Sequence, residues 1–166
     1  MKHLVIVAHP YSKSFGKGIA DTIEKEVLSN GSEVRVRDLY EIGFDPVLKG
    51  SDLLNQQTGK YAEDIKVEQE HIKWADIITF VYPVWWAGLP AMLKGYVDRV
   101  FANGFAFANE ETGPYGLLTD KKAILFSTTG FPNEVYQTIG MHKSMEQTSD
   151  EAIFKFCGVE VIKHVF

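Results

Sequence analysis

The sequence predicts an α/β protein, an open and doubly wound parallel sheet of five strands in the order 2-1-3-4-5 with helices on both faces. Two observations carry this. Continuous apolar runs rich in β-branched residues, such as Leu4-Val5-Ile6-Val7 and Ile77-Ile78-Thr79-Phe80-Val81, suit strands buried on both faces. Segments with apolar residues at helical spacing separate them, and strand–helix–strand alternation implies right-handed crossovers. A third observation bounds the organisation. The chain has 166 residues and shows no repeat, low-complexity tract or linker, so 1–166 reads as one domain.

The elements follow in order. Leu4–Val7 is the first strand. After the loop His9–Ser14, Phe15, Ile19, Ile23 and Val27 recur every fourth residue, marking one face of a helix that Asn30-Gly31 stops. Glu33–Leu39 alternates Val34, Val36 and Leu39 with Arg35 and Arg37, a half-exposed strand near an edge. Residues 40–62, punctuated by Pro46, Gly50 and Gly59, read as a long loop with some helix. Ala62–Trp74 is mostly charged, with Ile65, Val67 and Ile72 as its apolar positions, and reads as a surface helix. Asp76–Tyr82 is the third strand. Pro90 opens a helix whose apolar face is Ala91, Leu93, Val97, Val100 and Phe101. Ala123–Phe126 is the fourth strand, 144–157 a helix ended by Gly158, and Val159–Phe166 the fifth strand. Five strands in this length give a sheet of the flavodoxin-like kind. A following helix is expected to be absent from the chain, leaving part of one sheet face to be covered by further chain or by a partner.

Composition excludes several classes. With 17 Lys+Arg against 22 Asp+Glu, a net charge of −5, the chain lacks the basic balance that gripping a nucleic-acid backbone needs. At 45% apolar and 23% charged it is an ordinary globular protein. No apolar run of ~18 residues exists, so no membrane insertion is expected. The apolar run after Met1-Lys2-His3 is too short for a secretion signal. The one cysteine, Cys157, cannot form an internal disulfide and reads as buried packing. A cytoplasmic protein is expected, and Asn30-Gly31-Ser32 is then a turn rather than a glycosylation site. His3, His71 and His164 show no metal-ligand spacing.

Ligands of open α/β sheets bind beyond the carboxyl ends of the strands, near the switch in strand order. That rule nominates the loops 9–15, 83–90 and 127–143. In the first, Ser12, Lys13 and Ser14 precede a helix N-terminus, the ingredients of a phosphate site, although Ser14 reads equally as a helix cap. Neither Gly-x-Gly-x-x-Gly nor a P-loop is present. In the second, Trp85 and Trp86 stand between Pro83 and Pro90, offering flat faces to a planar ring or filling core or interface. In the third, Ser127-Thr128-Thr129-Gly130-Phe131 lets backbone approach a heterocycle. Tyr136 and His142 follow, able to move protons but on residue type alone first read as surface. Together the loops suggest a phosphorylated planar ligand, with a flavin the obvious candidate in this fold.

These segments resemble the flavin-dependent NAD(P)H:quinone oxidoreductases of the flavodoxin-like fold, the family of DT-diaphorase. The resemblance rests on Ala8-His9-Pro10, Ser14-Phe15, and Tyr82-Pro83-Val84-Trp85-Trp86-Ala87-Gly88-Leu89-Pro90 continuing through Phe101. It extends over Gly104-Phe105-Ala106-Phe107, Thr128-Thr129-Gly130, Tyr136 with Gly140-Met141-His142, and Phe156-Cys157-Gly158, nearly the whole chain in order. It implies that His9, Ser12, Ser14 and Phe15 hold the flavin's phosphate. Pro83, Val84, Trp85 and Trp86 would line the ring with prominent backbone contacts, and Thr128, Thr129, Gly130 and Phe131 would meet its polar edge. Tyr136 and His142 would be the catalytic pair.

The implied activity is NAD(P)H dehydrogenation by ping-pong hydride transfer to a quinone, nitro, azo or similar acceptor, with FMN favoured over FAD. The family's homodimers place residues of one subunit at the other's flavin. Phe105, Phe107 and Tyr115 are candidates for that position, or for core and surface. Phe131 and Gly16 depart from residues common in relatives. Two other readings compete: an electron carrier, and a flavoprotein regulatory subunit of a potassium-efflux system with a membrane transporter as partner. No hydrolase motif such as Gly-x-Ser-x-Gly is present.

Overall fold

The computed structural model describes residues 1–166, the side chain of Gln57 excepted. Along the chain run β1 (Lys2–Val7), α1 (Phe15–Ser29), β2 (Glu33–Asp38), α2 (Gly50–Thr58), α3 (Glu63–Trp74), β3 (Ile77–Pro83) and α4 (Ala91–Val100). There follow β4 (Phe107–Glu110), β5 (Gly113–Gly116), β6 (Lys122–Thr128), α5 (Asn133–Thr138), α6 (Met141–Glu146), a π-helical segment (Gln147–Lys155) and β7 (Glu160–Val165). Five strands form one parallel sheet in the spatial order β2-β1-β3-β6-β7. The sheet is thus the parallel, doubly wound one expected, but its chain numbering is not 2-1-3-4-5. An antiparallel hairpin, β4 with β5, intervenes between the third and fourth sheet strands. Its strands are four residues each and carry Gly113, Pro114 and Gly116, which read as turn residues in sequence. Gly116 is required there, because a Cβ would stand 2.2 Å from the Cys157 backbone.

Strand alternation sorts the core into two layers. Leu4, Ile6, Ile78, Phe80, Ala123 and Leu125 face Ile72 of α3, Leu93, Tyr96 and Val100 of α4, and Phe154 of the π-helical segment. Val5, Val7 and Val81 face Ala20 of α1, with Ile19 and Ile23 beside it. Helices therefore cover both faces, as the patterning implied. The helix expected over 144–157 is instead α6 running into the π-helical segment, ended at Gly158 with φ +87°. Phe15 begins α1 but is 78% exposed, so it lies off the helix's buried face. Cys157 is buried, and burial pushes its thiol up to about 11, consistent with packing rather than redox use. Among the described residues no helix is long and apolar enough to cross a membrane.

The irregular stretch 40–62 is held by Arg99 of α4, whose side chain is 1% exposed. Its Nε donates to Asp52 Oδ2 at 2.9 Å, and its Nη1 to Asp64 Oδ2 at 2.6 Å and to the Asp45 carbonyl at 2.8 Å. Burial alone would raise the Asp52 carboxyl. The hydrogen bonds from Arg99 and the Lys49 N–H outweigh it and hold that carboxyl below its usual value. This clamp docks α2 and α3 against α4.

Candidate functional site

Parallel pairing brings the predicted loops together. Val7 lies opposite Val81 and Pro83 opposite Thr128, so the carboxyl ends of β1, β3 and β6 are neighbours. Two backbone bonds stitch their exits, Ala8 N–H to Val81 O at 3.0 Å and Val84 N–H to Thr128 O at 2.8 Å. Pro83 and Val84 are accordingly buried. Pro83 has no N–H and that of Val84 already donates to Thr128, so these two have only carbonyls to offer from the main chain.

The first loop turns back on itself, with the Tyr11 N–H donating to His9 Nδ1 at 3.0 Å. Ser14 is the N-cap of α1, its Oγ accepting from the Lys17 N–H at 3.2 Å, so the capping role is realised. The first turn of α1 holds no acidic residue, which leaves its positive pole uncompensated. Ser12 and Lys13 are exposed above it, whereas the Lys17 ammonium is drawn away to Asp38. The His9 ring meets Trp85 edge-on at 5.9 Å and joins the first loop to the second.

The second loop is a two-residue turn closed by reciprocal bonds, Trp85 N–H to Gly88 O at 3.2 Å and Gly88 N–H to Trp85 O at 3.1 Å. Its central residues, Trp86 and Ala87, have φ of 53° and 60°. That is the left-handed region usually filled by Gly, Asn or Asp, and each non-glycine residue there costs about 1–2 kcal/mol. The turn lifts the Trp86 indole entirely into solvent and leaves Trp85 partly exposed. A fully exposed indole on a strained turn points to recognition rather than to core filling.

In the third loop Thr129 Oγ1 donates to the Phe131 carbonyl at 2.8 Å, which curls the backbone. Gly130 has no atom within 4 Å of where a Cβ would stand and no positive φ. The fold does not itself require glycine there, and the residue leaves open space. Aromatic rings then form a column. Phe131 stacks on Tyr136 at 6.0 Å, Tyr136 meets the edge of His142 at 6.1 Å, and His142 stacks on Phe166 at 4.1 Å and 16°. His142 Nε2 is buried and has no hydrogen-bond partner. Native proteins rarely leave such an atom unmet, so a ligand group is the natural complement.

Sequence reasoning missed one array beside this column. His164 of β7 places Nε2 2.9 Å from Ser127 Oγ and Nδ1 2.9 Å from Asp150 Oδ1, and its ring stacks on Phe166 at 4.0 Å. Ser149 Oγ donates to Asp150 Oδ1 at 2.6 Å. Tyr82 lies alongside, its hydroxyl 3.5 Å from His164 Nε2, with burial and then the Asp150 charge raising its phenol far above the usual value. The three residues of the array are 14 or more positions apart in the chain, and the only available signal was a polar residue at an inward strand position. Of the candidates for a partner-facing role, Phe105 lies in the core, Phe107 packs on Phe156 at 5.3 Å, and Tyr115 is exposed. Among the described residues no group of His, Cys, Asp and Glu could hold a metal ion.

Comparison with known proteins agrees with this architecture. A family model described as flavodoxin-like fold matches residues 1–166. The chain is 44% identical over 164 residues to an uncharacterized NAD(P)H oxidoreductase of Haemophilus influenzae, covering 98% of this chain and 81% of that protein. It is 31% identical over 180 residues to NAD(P)H dehydrogenase (quinone) 1 of Cavia porcellus, covering 96% of this chain and 66% of that one. Its backbone matches the solved NAD(P)H:quinone oxidoreductase from Methanothermobacter marburgensis with a TM-score of 0.90 at 29% identity, over 99% of this chain and 85% of that one. The chain therefore belongs to the flavodoxin-like fold family, among its NAD(P)H oxidoreductase and quinone-dehydrogenase members.

Proposed function

We propose that the chain is a flavin-dependent NAD(P)H:quinone oxidoreductase working by a ping-pong cycle, with FMN as its flavin and a cytoplasmic homodimer as its working form. The observation that carries this reading is the buried, unpartnered His142 Nε2. It belongs to the aromatic column of Phe131, Tyr136 and Phe166 in the segment that follows β6. Those features fit a planar heterocycle with a polar edge. The names of the relatives support the reading.

When bound, a flavin would supply the hydride-transfer chemistry that links NAD(P)H to a quinone. The residues of the chain bind, orient and move protons. Ser12 and Ser14, with the first-turn N–H groups of α1, would hold the phosphate at the uncompensated positive end of the helix dipole. His9 and Phe15 would flank it. Pro83 and Val84 would form a rigid floor, and Trp85 and Trp86 would give the ring its apolar faces. Thr128, Thr129, Gly130 and Phe131 would border its polar edge. Tyr136 and His142 would donate hydrogen bonds where negative charge develops, with His142 Nε2 carrying the proton that is passed on.

The test is visible spectroscopy of protein reconstituted with FMN, titrated anaerobically with NADPH and NADH and then with a quinone. Bleaching by one nucleotide and recovery on adding quinone is the expected result. A bound flavin that neither nucleotide reduces would overturn the proposal.

A further inference from the structure

We propose that His164 is a positioning residue for His142, acting through Phe166, an inference that rests on the proposed role of His142. The two imidazoles stack on Phe166 at 4.1 and 4.0 Å, with interplanar angles of 16° and 22°. Two rings cannot lie at that distance over one face, so the phenyl ring is sandwiched between them. His142 has no hydrogen bond at its buried Nε2, and the stack therefore does much of the work of setting its ring plane. A stack orients one ring only if its other members are fixed.

His164 supplies that fixity. Both of its nitrogens are engaged, Nδ1 with the Asp150 carboxylate and Nε2 with the Ser127 hydroxyl, which holds the ring against rotation. Asp150 is held in turn by Ser149. The Asn133 side chain donates to the main-chain oxygen of Phe166 at 3.0 Å and ties the phenyl-bearing residue to α5, the helix that carries Tyr136. The array thus runs from the sheet and the π-helical segment to the His142 imidazole. The groups facing His164 are Asp150, Ser127 and Tyr82, with His142 across Phe166.

The order Ser127–His164–Asp150 matches that of a hydrolytic triad, but the geometry does not serve nucleophilic attack. Ser127 is 2% exposed, and the Val165 carbonyl lies 3.4 Å from its Oγ, so no acyl group can approach. What remains is a buried polar chain that fixes one ring, the way supporting hydrogen bonds orient ligand-bearing histidines elsewhere.

The test has two arms. In flavin-free protein, the ring resonances of His142 are followed by NMR of labelled histidine. His164→Ala is expected to shift them, and Asp150→Asn, which keeps an acceptor for Nδ1–H, to shift them less. In the FMN-loaded enzyme, His164→Ala is expected to lower kcat roughly tenfold, with the quinone KM and the flavin affinity unchanged. Should His164→Ala fail to fold, Phe166→Leu removes only the stack and is expected to produce the same displacement of His142. Unmoved His142 resonances in the folded variants would overturn the proposal, as would a fall in kcat matched by a loss of flavin affinity. A wild-type protein that binds FMN yet reduces no quinone would instead overturn the oxidoreductase reading, and the NMR arm would still decide the positioning.

Discussion

Around Arg99, α4 meets α2 and α3, and the guanidinium donates to two carboxylates and a carbonyl, each within 2.9 Å. At the ligand end, the carboxyl ends of β1, β3 and β6 are neighbours, and in the segment after β6 the His142 Nε2 is buried with no partner at all. In the loop after β3 two non-glycine residues hold left-handed backbone and an indole stands free in solvent. Both regions assemble distant segments around a polar side chain. One completes its hydrogen bonding within the protein and the other does not. Satisfied polar groups report what the fold needs for itself, and unsatisfied ones next to strained backbone report what it keeps for a ligand.

The largest effect expected belongs to the satisfied region. Arg99→Ala strands the Asp52 carboxylate and should lower stability by about 3–5 kcal/mol, the usual outcome of removing one partner of a buried pair. Denaturant unfolding measures it, and FMN affinity of the folded fraction should not change. The same clamp sets an acid dependence. The folded carboxyl of Asp52 lies below its unfolded value, so its contribution is fully present above the ordinary carboxylate range and is lost as pH falls through the folded value. Acid unfolding of Asp52→Asn should therefore be less steep in that window. An unchanged acid limb would detach Asp52 from the clamp.

His142→Ala probes the other side of the contrast. It should slow flavin reduction by NAD(P)H roughly 10²-fold, within the range for a positioned proton donor. Stability should shift far less than in Arg99→Ala, and FMN should remain bound. Stopped-flow reduction rates equal to wild type would remove His142 from the mechanism.

The two regions also differed in how far the sequence revealed them. The sheet was legible because its strands are continuous β-branched runs and its main helices carry four-residue spacing, patterns set by burial alone. The mouth was legible in part. Trp85-Trp86 between prolines and Thr128-Thr129-Gly130 are local motifs at the ends of predicted strands. What stayed hidden was non-local or conformational. The Arg99 clamp joins positions 47 and 35 apart, and the Ser127–His164 contact joins positions 37 apart. The left-handed turn was invisible because Trp and Ala carry no signal for positive φ. The hairpin β4–β5 was missed because its glycines look like loop residues in one dimension, although a Cβ on Gly116 would stand 2.2 Å from the Cys157 backbone.

Gly130→Ala sharpens the contrast within the mouth. The position has free space and no unusual backbone, so the added methyl should leave stability within about 0.5 kcal/mol, as at ordinary surface sites. The same methyl would project into the space assigned to the flavin, and FMN affinity should fall at least roughly tenfold, about 1.4 kcal/mol. Fluorescence titration reads it. Full FMN affinity in this variant would place the ring elsewhere.

Ala87→Gly carries the smallest effect and bears on why the strain is there. Glycine relieves a left-handed penalty of about 1–2 kcal/mol but gives the unfolded chain more freedom, so the net gain should be at most about 1 kcal/mol. Were the strain incidental, the variant would melt higher with and without FMN by the same amount. If the turn instead holds Trp86 poised for the ring, the flavin-free protein should melt higher while the rise in Tm produced by FMN shrinks, because a slacker turn must be ordered on binding. The Arg99 clamp offers no such trade, since it has no ligand to pre-organise for. A fall in stability for Ala87→Gly, with FMN binding intact, would mean that the left-handed turn is a structural feature like the clamp, and the opposition between the two regions would then rest on His142 alone.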